Sequence, residues 1–150
     1  MEINAEQLKQ LREETGVSLL KCKEALVEAA GDMDKARELL REQGAKAVAK
    51  KADRELGAGI VRAYVHSNNT TGVLLKLLCE TDYVARNEDF INLANDINLH
   101  IVAMMPESVE ALLEQPFVKN PDLTIAKVIE EKVLKIGERI EVAEFTRYEV

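Results

Sequence analysis

After Gly57 and Gly59 the hydrophobic period of this 150-residue chain changes from about 3.6 residues to about 2, so helices must give way to strands there. Before that point three short helices are predicted. Asn4 can cap the first, with Gln7 completing a capping box and Ile3 stapling onto Leu8. Leu8 and Leu11 give it an apolar edge, and Gly16 suits the left-handed position at its end. Ser18 opens the second helix, where Leu19, Cys22, Leu26 and Ala29 share one face. Asp32 opens the third, with Ala36, Leu39 and Leu40 inward and Gly44 closing it. Three helices of this size form a marginal mini-bundle, a type mostly used for binding. Leu20 lies about 100° from the buried stripe of its helix. It is either partly buried against the first helix or an exposed apolar contact.

Beyond the glycines, Val61, Ala63 and Val65 fall on one face of a strand, and Val73, Leu75, Leu77 and Cys79 on one face of the next. Ser67-Asn68-Asn69-Thr70-Thr71-Gly72 turns the chain between them, giving a β-hairpin. A long helix follows, capped by Asn87 and striped by Phe90, Leu93, Ala94, Ile97, Ile101 and Met104, until Pro106 stops it. A short helix near residues 109–113 leads to Gln115-Pro116-Phe117-Val118, an extended segment whose proline excludes a central strand. Thr124 caps a last helix carrying Ile125, Val128, Ile129, Val133 and Ile136, closed by Gly137. The chain finishes in a strand from residue 140, whose alternation slips near Val142 and Ala143 as at a β-bulge. The fold class is therefore α+β: a small antiparallel sheet with helices packed on one face, preceded by the helical module.

Charge divides the chain in the same way. Residues 1–45 carry 7 basic and 10 acidic side chains, and residues 57–150 carry 9 and 15. Between them, residues 46–56 hold Lys46, Lys50, Lys51 and Arg54 against Asp53 and Glu55. The expected organisation is a module over 1–45, a basic linker over 46–56 and a core over 57–150. A net charge of −7 argues against direct nucleic-acid binding, which works by neutralising phosphates. No stretch approaches the roughly 20 apolar residues of a membrane span. The opening Met1-Glu2-Ile3-Asn4 lacks the features of a secretion signal, so a cytoplasmic location is expected.

A catalytic constellation is hard to assemble. His66 falls on the solvent side of a strand, and His100 beside Ile101 suits a packed histidine better than a general base. Cys22 and Cys79 are isolated within apolar patterns, fit buried reduced thiols and make no zinc spacing. Gly57-Ala58-Gly59 is not a phosphate loop, because no strand precedes it at the required distance. Neither an enzyme, a cofactor nor a metal site is expected.

The segment Cys79-Glu80-Thr81-Asp82-Tyr83-Val84-Ala85-Arg86-Asn87 joins a strand end to a helix cap, so its tip must reach the surface. The chain has only three Phe, three Tyr and no Trp, yet one ring stands here beside a carboxylate. Pattern alone favours a turn whose Tyr83 folds back onto the sheet. The other reading is a probe, with a rigid ring to enter a partner's pocket and Asp82 to perturb a charged site next to it.

Several motifs, in order, resemble the elongation factor Ts family. Leu11-Arg12-Glu13-Glu14-Thr15-Gly16, Cys22-Lys23-Glu24-Ala25-Leu26 and the stretch from Gly31-Asp32 to Gly44 are similar to its amino-terminal module, which is ubiquitin-associated-like. Ala49-Lys50-Lys51-Ala52 resembles its linker. The stretch from Cys79 to Phe90 resembles its most diagnostic motif, with Tyr83 where the family usually has Phe. His100-Ile101, Pro106, Gln115-Pro116-Phe117-Val118 and Lys135-Ile136-Gly137-Glu138 follow in the family's order.

The resemblance implies a guanine-nucleotide exchange factor for elongation factor Tu, in its GDP-bound and nucleotide-free states. Thr81, Asp82, Tyr83 and Val84 would form the intruding tip, with Tyr83 between helices of the GTPase and Asp82 disturbing its Mg²⁺ region. Ile136 and Gly137 would lie beside the tip, while Arg12, Leu19 and Leu20 would dock the module. Ser18-Leu19-Leu20 replaces the Gly-Met-Met common in the family, and the path from Met105 to Gln115 is shorter than in most relatives. This resembles a minimal form with one core subdomain, for which a homodimer is a further expectation. One alternative is a non-enzymatic adaptor that binds protein through the helical module. Another is a cysteine-dependent enzyme using Cys79 with a histidine.

Overall fold

A computed structural model of the chain describes residues 2–150. Its first three helices start where capping side chains allow. Asn4 precedes α1 (Ala5–Thr15), and its Oδ1 accepts from the Glu6 N–H at 2.9 Å. Gln7 does not close a capping box; its amide donates across to the Gly31 carbonyl, tying α1 to the turn before the third helix. Gly16 ends α1 with a φ of 65°, its N–H bonded to the Arg12 carbonyl. Ser18 caps α2 (Leu19–Glu28), and Asp32 caps α3 (Met33–Lys50) by accepting from the Asp34 and Lys35 N–H groups.

Gly44 does not terminate α3, which runs six residues further through Lys46 to Lys50. Gly44 instead lets α3 approach α7 (Ile125–Ile136): a Cβ there would stand 3.2 Å from the Glu130 carbonyl. A glycine inside a helix costs roughly 1 kcal/mol against alanine. Close helix contact compensates for that cost. Ala47 of the same helix touches both hydrophobic clusters of the molecule.

The sheet has the order β1-β2-β5 and is antiparallel throughout, with β1 (Ala58–Val65), β2 (Thr71–Cys79) and β5 (Glu141–Glu149). Central β2 buries Val73, Leu75, Leu77 and Cys79 against the helices. The register shifts between Lys76, opposite Glu144, and Leu77, opposite Val142, so Ala143 is the extra residue of the expected bulge. In β1 the residues opposite the buried positions are Ile60, Arg62 and Tyr64. Val61, Ala63 and Val65 therefore face outward, together with Leu74 and Tyr148, and all five are exposed. His66 is half-buried beyond the strand end rather than on its solvent side, with Nδ1 3.0 Å from the Tyr64 hydroxyl.

Helix α5 (Glu88–Met104) covers the inner face with Phe90, Leu93, Ala94, Ile97 and Ile101, and α7 adds Ile125, Val128, Ile129 and Val133. Met104, expected in the stripe, is exposed at the last turn, where Met105 adopts a left-handed φ of 48°. The short helix α6 (Val109–Glu114) follows. The extended segment then pairs as β3 (Pro116–Phe117) with β4 (Asn120–Thr124), a small hairpin that periodicity did not predict. A second cluster joins Leu11, Cys22, Leu26, Ala36 and Leu40 of the first three helices to Leu134 of α7.

Candidate functional site

Between β2 and α5, where the pattern favours a turn, the chain makes a single helical turn, α4 (Asp82–Ala85). Thr81 caps it, its hydroxyl accepting from the Val84 N–H at 3.3 Å, and its carbonyl receives the Ala85 N–H. The turn buries Val84 and Ala85 and leaves Asp82 and Tyr83 outside. Tyr83 is 81% exposed, so its ring does not fold back onto the sheet. An exposed aromatic on so short and well-capped a turn resembles a binding anchor more than a packing residue.

The turn between α7 and β5 supports this tip. Gly137 ends α7 with a φ of 85° and opens to solvent, while Ile136 is half-buried against the core. The next residue, Glu138, reaches back to the tip: its carboxylate accepts from the N–H groups of Glu80 and Thr81 and from the Thr81 hydroxyl. The structure thus brings residues 81–84 together with the turn that holds Ile136 and Gly137. Sequence reasoning did not single out Glu138. Its place directly after a helix-closing glycine, within a motif shared by a known family, was the available signal.

Arg12, Leu19 and Leu20 sit on the helical module. Leu20 is 66% exposed and Leu19 is 48% exposed, so Leu19 does not join the buried face of α2 as its spacing suggested. With Ile3, Leu8 and Val27 they line a shallow apolar groove between α1 and α2. Lys135 links this module to the tip region. The end of its side chain stands 3.0–3.1 Å from where a Cβ on Gly16 would sit, and its ammonium pairs with Asp89 in the first turn of α5 at 3.0 Å.

The groups considered for catalysis have structural partners. Burial first, and the Glu138 carboxylate second, push the Cys79 thiol up to about 11. It is a protonated donor to the Thr81 carbonyl and not a nucleophile at neutral pH. His100 is fully buried, with Nδ1 accepting from the Val118 N–H at 3.1 Å and Nε2 2.9 Å from the Gln115 side-chain oxygen. An N–H can only donate, so Nδ1 is bare, and the ring proton on Nε2 goes to Gln115.

Burial holds the His100 pKa below its ordinary 6.5, because charging the ring would cost solvation and the Val118 bond. The unfolded chain then binds more protons than the folded one. The ring's contribution to stability is complete above the ordinary value of 6.5 and is lost as pH falls through the lowered folded-state value. Urea denaturation between about pH 8 and about pH 5 should show wild-type stability declining more steeply than that of a His100→Asn variant. Parallel curves would remove His100 as the cause.

Similarity to known proteins extends over nearly the whole chain. A family model described as elongation factor TS matches residues 80–150, from the tip to the last strand. Elongation factor Ts of Desulforamulus reducens is 40% identical over 194 aligned positions, covering 99% of this chain and 89% of that relative. The same factor from Acetivibrio thermocellus is 38% identical, covering 98% and 89%. That of Fervidobacterium nodosum is 39% identical, covering 100% and 99%. An alignment of 194 positions against 150 residues leaves at least 44 positions in which this chain has a gap.

Proposed function

This chain belongs to the elongation factor Ts family, and on that premise we propose that it is a guanine-nucleotide exchange factor for elongation factor Tu. It acts in the cytoplasm through residues 81–84 and carries out no bond chemistry. The observation that carries this reading is the exposed Tyr83 beside Asp82 on a turn fixed at both ends. Tyr83 enters between helices of the GTPase. Asp82 meets the region that holds the nucleotide's Mg²⁺, and loss of the ion leaves the phosphates poorly compensated. Ile136 and Gly137 border the wedge. Arg12, Leu19 and Leu20 hold the module on a second surface of the same partner.

The mechanism is thermodynamic linkage. A factor that prefers the nucleotide-free GTPase weakens nucleotide binding by the same ratio by which nucleotide weakens its own. GDP leaves faster, and GTP then rebinds and expels the factor. Stopped-flow release of fluorescent GDP from the cognate GTPase tests this directly. Acceleration that saturates with the concentration of this chain is expected, and its absence would return the chain to the adaptor reading.

We also propose that two copies pair through the outer face of the sheet. Val61, Val65, Leu74 and Tyr148 lie exposed together there, and alignment with a relative leaves at least 44 positions at which this chain has a gap. Pairing would supply the missing breadth of core. Sedimentation equilibrium at about 100 μM, where an association of only about −5.5 kcal/mol would show, should give a dimer. Val61→Lys with Leu74→Lys should give a monomer. A monomeric wild type at that concentration excludes the pairing.

A further inference from the structure

We propose that Glu138 is the positioning residue of the tip, holding Thr81 so that Asp82 and Tyr83 are presented before any partner arrives. The inference rests on reading residues 81–84 as the part that enters the GTPase. It concerns a side chain that need not touch the partner.

The ladder between β2 and β5 ends at Leu78 and Glu141. Past that point the two segments would leave backbone N–H groups without ladder partners, and such groups are seldom left unpaired. Two carboxylates take over. Glu138 accepts from the N–H groups of Glu80 and Thr81 at 3.1 and 3.0 Å. In return, the Glu80 carboxylate accepts from the Arg139 N–H at 2.6 Å. Each segment therefore receives the other's backbone, and the clasp continues the sheet without strand geometry. Arg54 approaches the same Glu80 oxygen at 3.4 Å, and the Arg139 guanidinium donates to the Arg54 carbonyl.

The hydroxyl of Thr81 carries the effect into the tip. It has one proton, and the other carboxylate oxygen of Glu138, 2.7 Å away, claims it. Its lone pairs are then free for the Val84 N–H, the bond that caps α4. Glu138 thus acts through Thr81 on Val84, and Asp82 and Tyr83 lie between those two held points. Hydrogen bonds to an ionised acceptor are about twice as strong as neutral ones. A loop held this way has already lost the freedom it would otherwise lose on binding.

The test compares wild type, Glu138→Ala, Glu138→Gln and Thr81→Val in GDP release across a range of factor concentrations. Glu138→Ala should lower the maximal release rate about ten-fold or more, the equivalent of one charge-assisted hydrogen bond. Its half-saturating concentration should stay near wild type, because the module still docks. A partly unfolded variant would do the opposite, raising half-saturation at an unchanged maximum. Glu138→Gln keeps one acceptor oxygen for the two N–H groups but turns a donor NH2 toward the Thr81 hydroxyl and loses the charge, so it should recover only part of the rate, whereas Thr81→Val should resemble Glu138→Ala.

In the free protein, the amides of Glu80, Thr81 and Val84 should exchange faster in Glu138→Ala, with those of Leu75 and Leu77 unchanged. A wild-type maximal rate in Glu138→Ala, or unaltered exchange at those three amides, overturns the proposal. If wild type itself fails to accelerate release, the functional reading fails, and amide exchange alone decides the clasp.

Discussion

Replacing both Asp82 and Tyr83 with alanine should lower accelerated GDP release about 30-fold or more, since one central aromatic anchor is worth roughly 2 kcal/mol. The fold should not notice. Both side chains are exposed, and neither accepts or donates a side-chain bond that holds the tip, whose fixed points are Thr81 and Val84. Thermal midpoints of wild type and variant should therefore agree within about 0.5 kcal/mol of stability. Cys79→Ser is the control for the cysteine-enzyme alternative. It keeps a donor for the Thr81 carbonyl and should leave exchange nearly intact. Full acceleration by the double variant would remove the tip from the mechanism, whatever the rest of the surface does.

The largest effect on stability is expected at Phe90. The ring is fully buried in the first turn of α5, within the cluster that β2 and α7 also enter. Phe90→Ala should cost about 3–5 kcal/mol, the removed transfer energy plus the cavity left behind. A domain of this size has roughly 5–15 kcal/mol in total. The midpoint of thermal unfolding should fall by about 10 °C or more, read by circular dichroism. A loss under about 1 kcal/mol would mean that the site collapses to fill the void, and that the packing around α5 is looser than the structure has it.

Local rules made much of this fold legible. Asn4, Ser18, Asp32, Asn87 and Thr124 cap the helices they were expected to cap. The slip in the last strand is the bulge at Ala143. Two of the differences share a cause, which is that the deciding partner lies far away in sequence. Gly44 reads as a helix stop until α7 is seen against it. Alternation in β1 separates two faces but does not say which is inward. The inner one holds Arg62, whose Nε donates to the Asn95 side chain and whose carbonyl accepts from Asn98, so the polar side of α5 decided it. An apolar count would favour Val61 and Val65.

The candidate site divides in the same way. That residues 81–83 reach the surface follows from their place between a strand and a helix cap, whereas Val84, expected at the same tip, is buried beneath it. The orientation of Tyr83 did not, because it depends on Glu138, which is 57 residues from Thr81. Pattern alone favoured a ring turned inward, whereas family resemblance pointed outward, as the structure has it. Leu19 was misread for another reason. It stands at the first position of α2, before the helix has turned its stripe onto the bundle, and the groove beside α1 keeps it at the surface.

Continuity of α3 through Gly44 has a consequence for how two contacts combine. A flexible tether would let a second contact form only at the effective concentration its length allows, and each added residue would dilute it. Here the helix that begins in the module also packs on α7, and α7 ends at the turn that grips the tip. The groove at Leu19 and Leu20 and the ring of Tyr83 are therefore borne at a set separation, like two pins of one plug. A GTPase whose two receiving surfaces match that spacing gains both contacts for nearly the entropy of one. A GTPase with a different spacing gains only one, however well either surface fits.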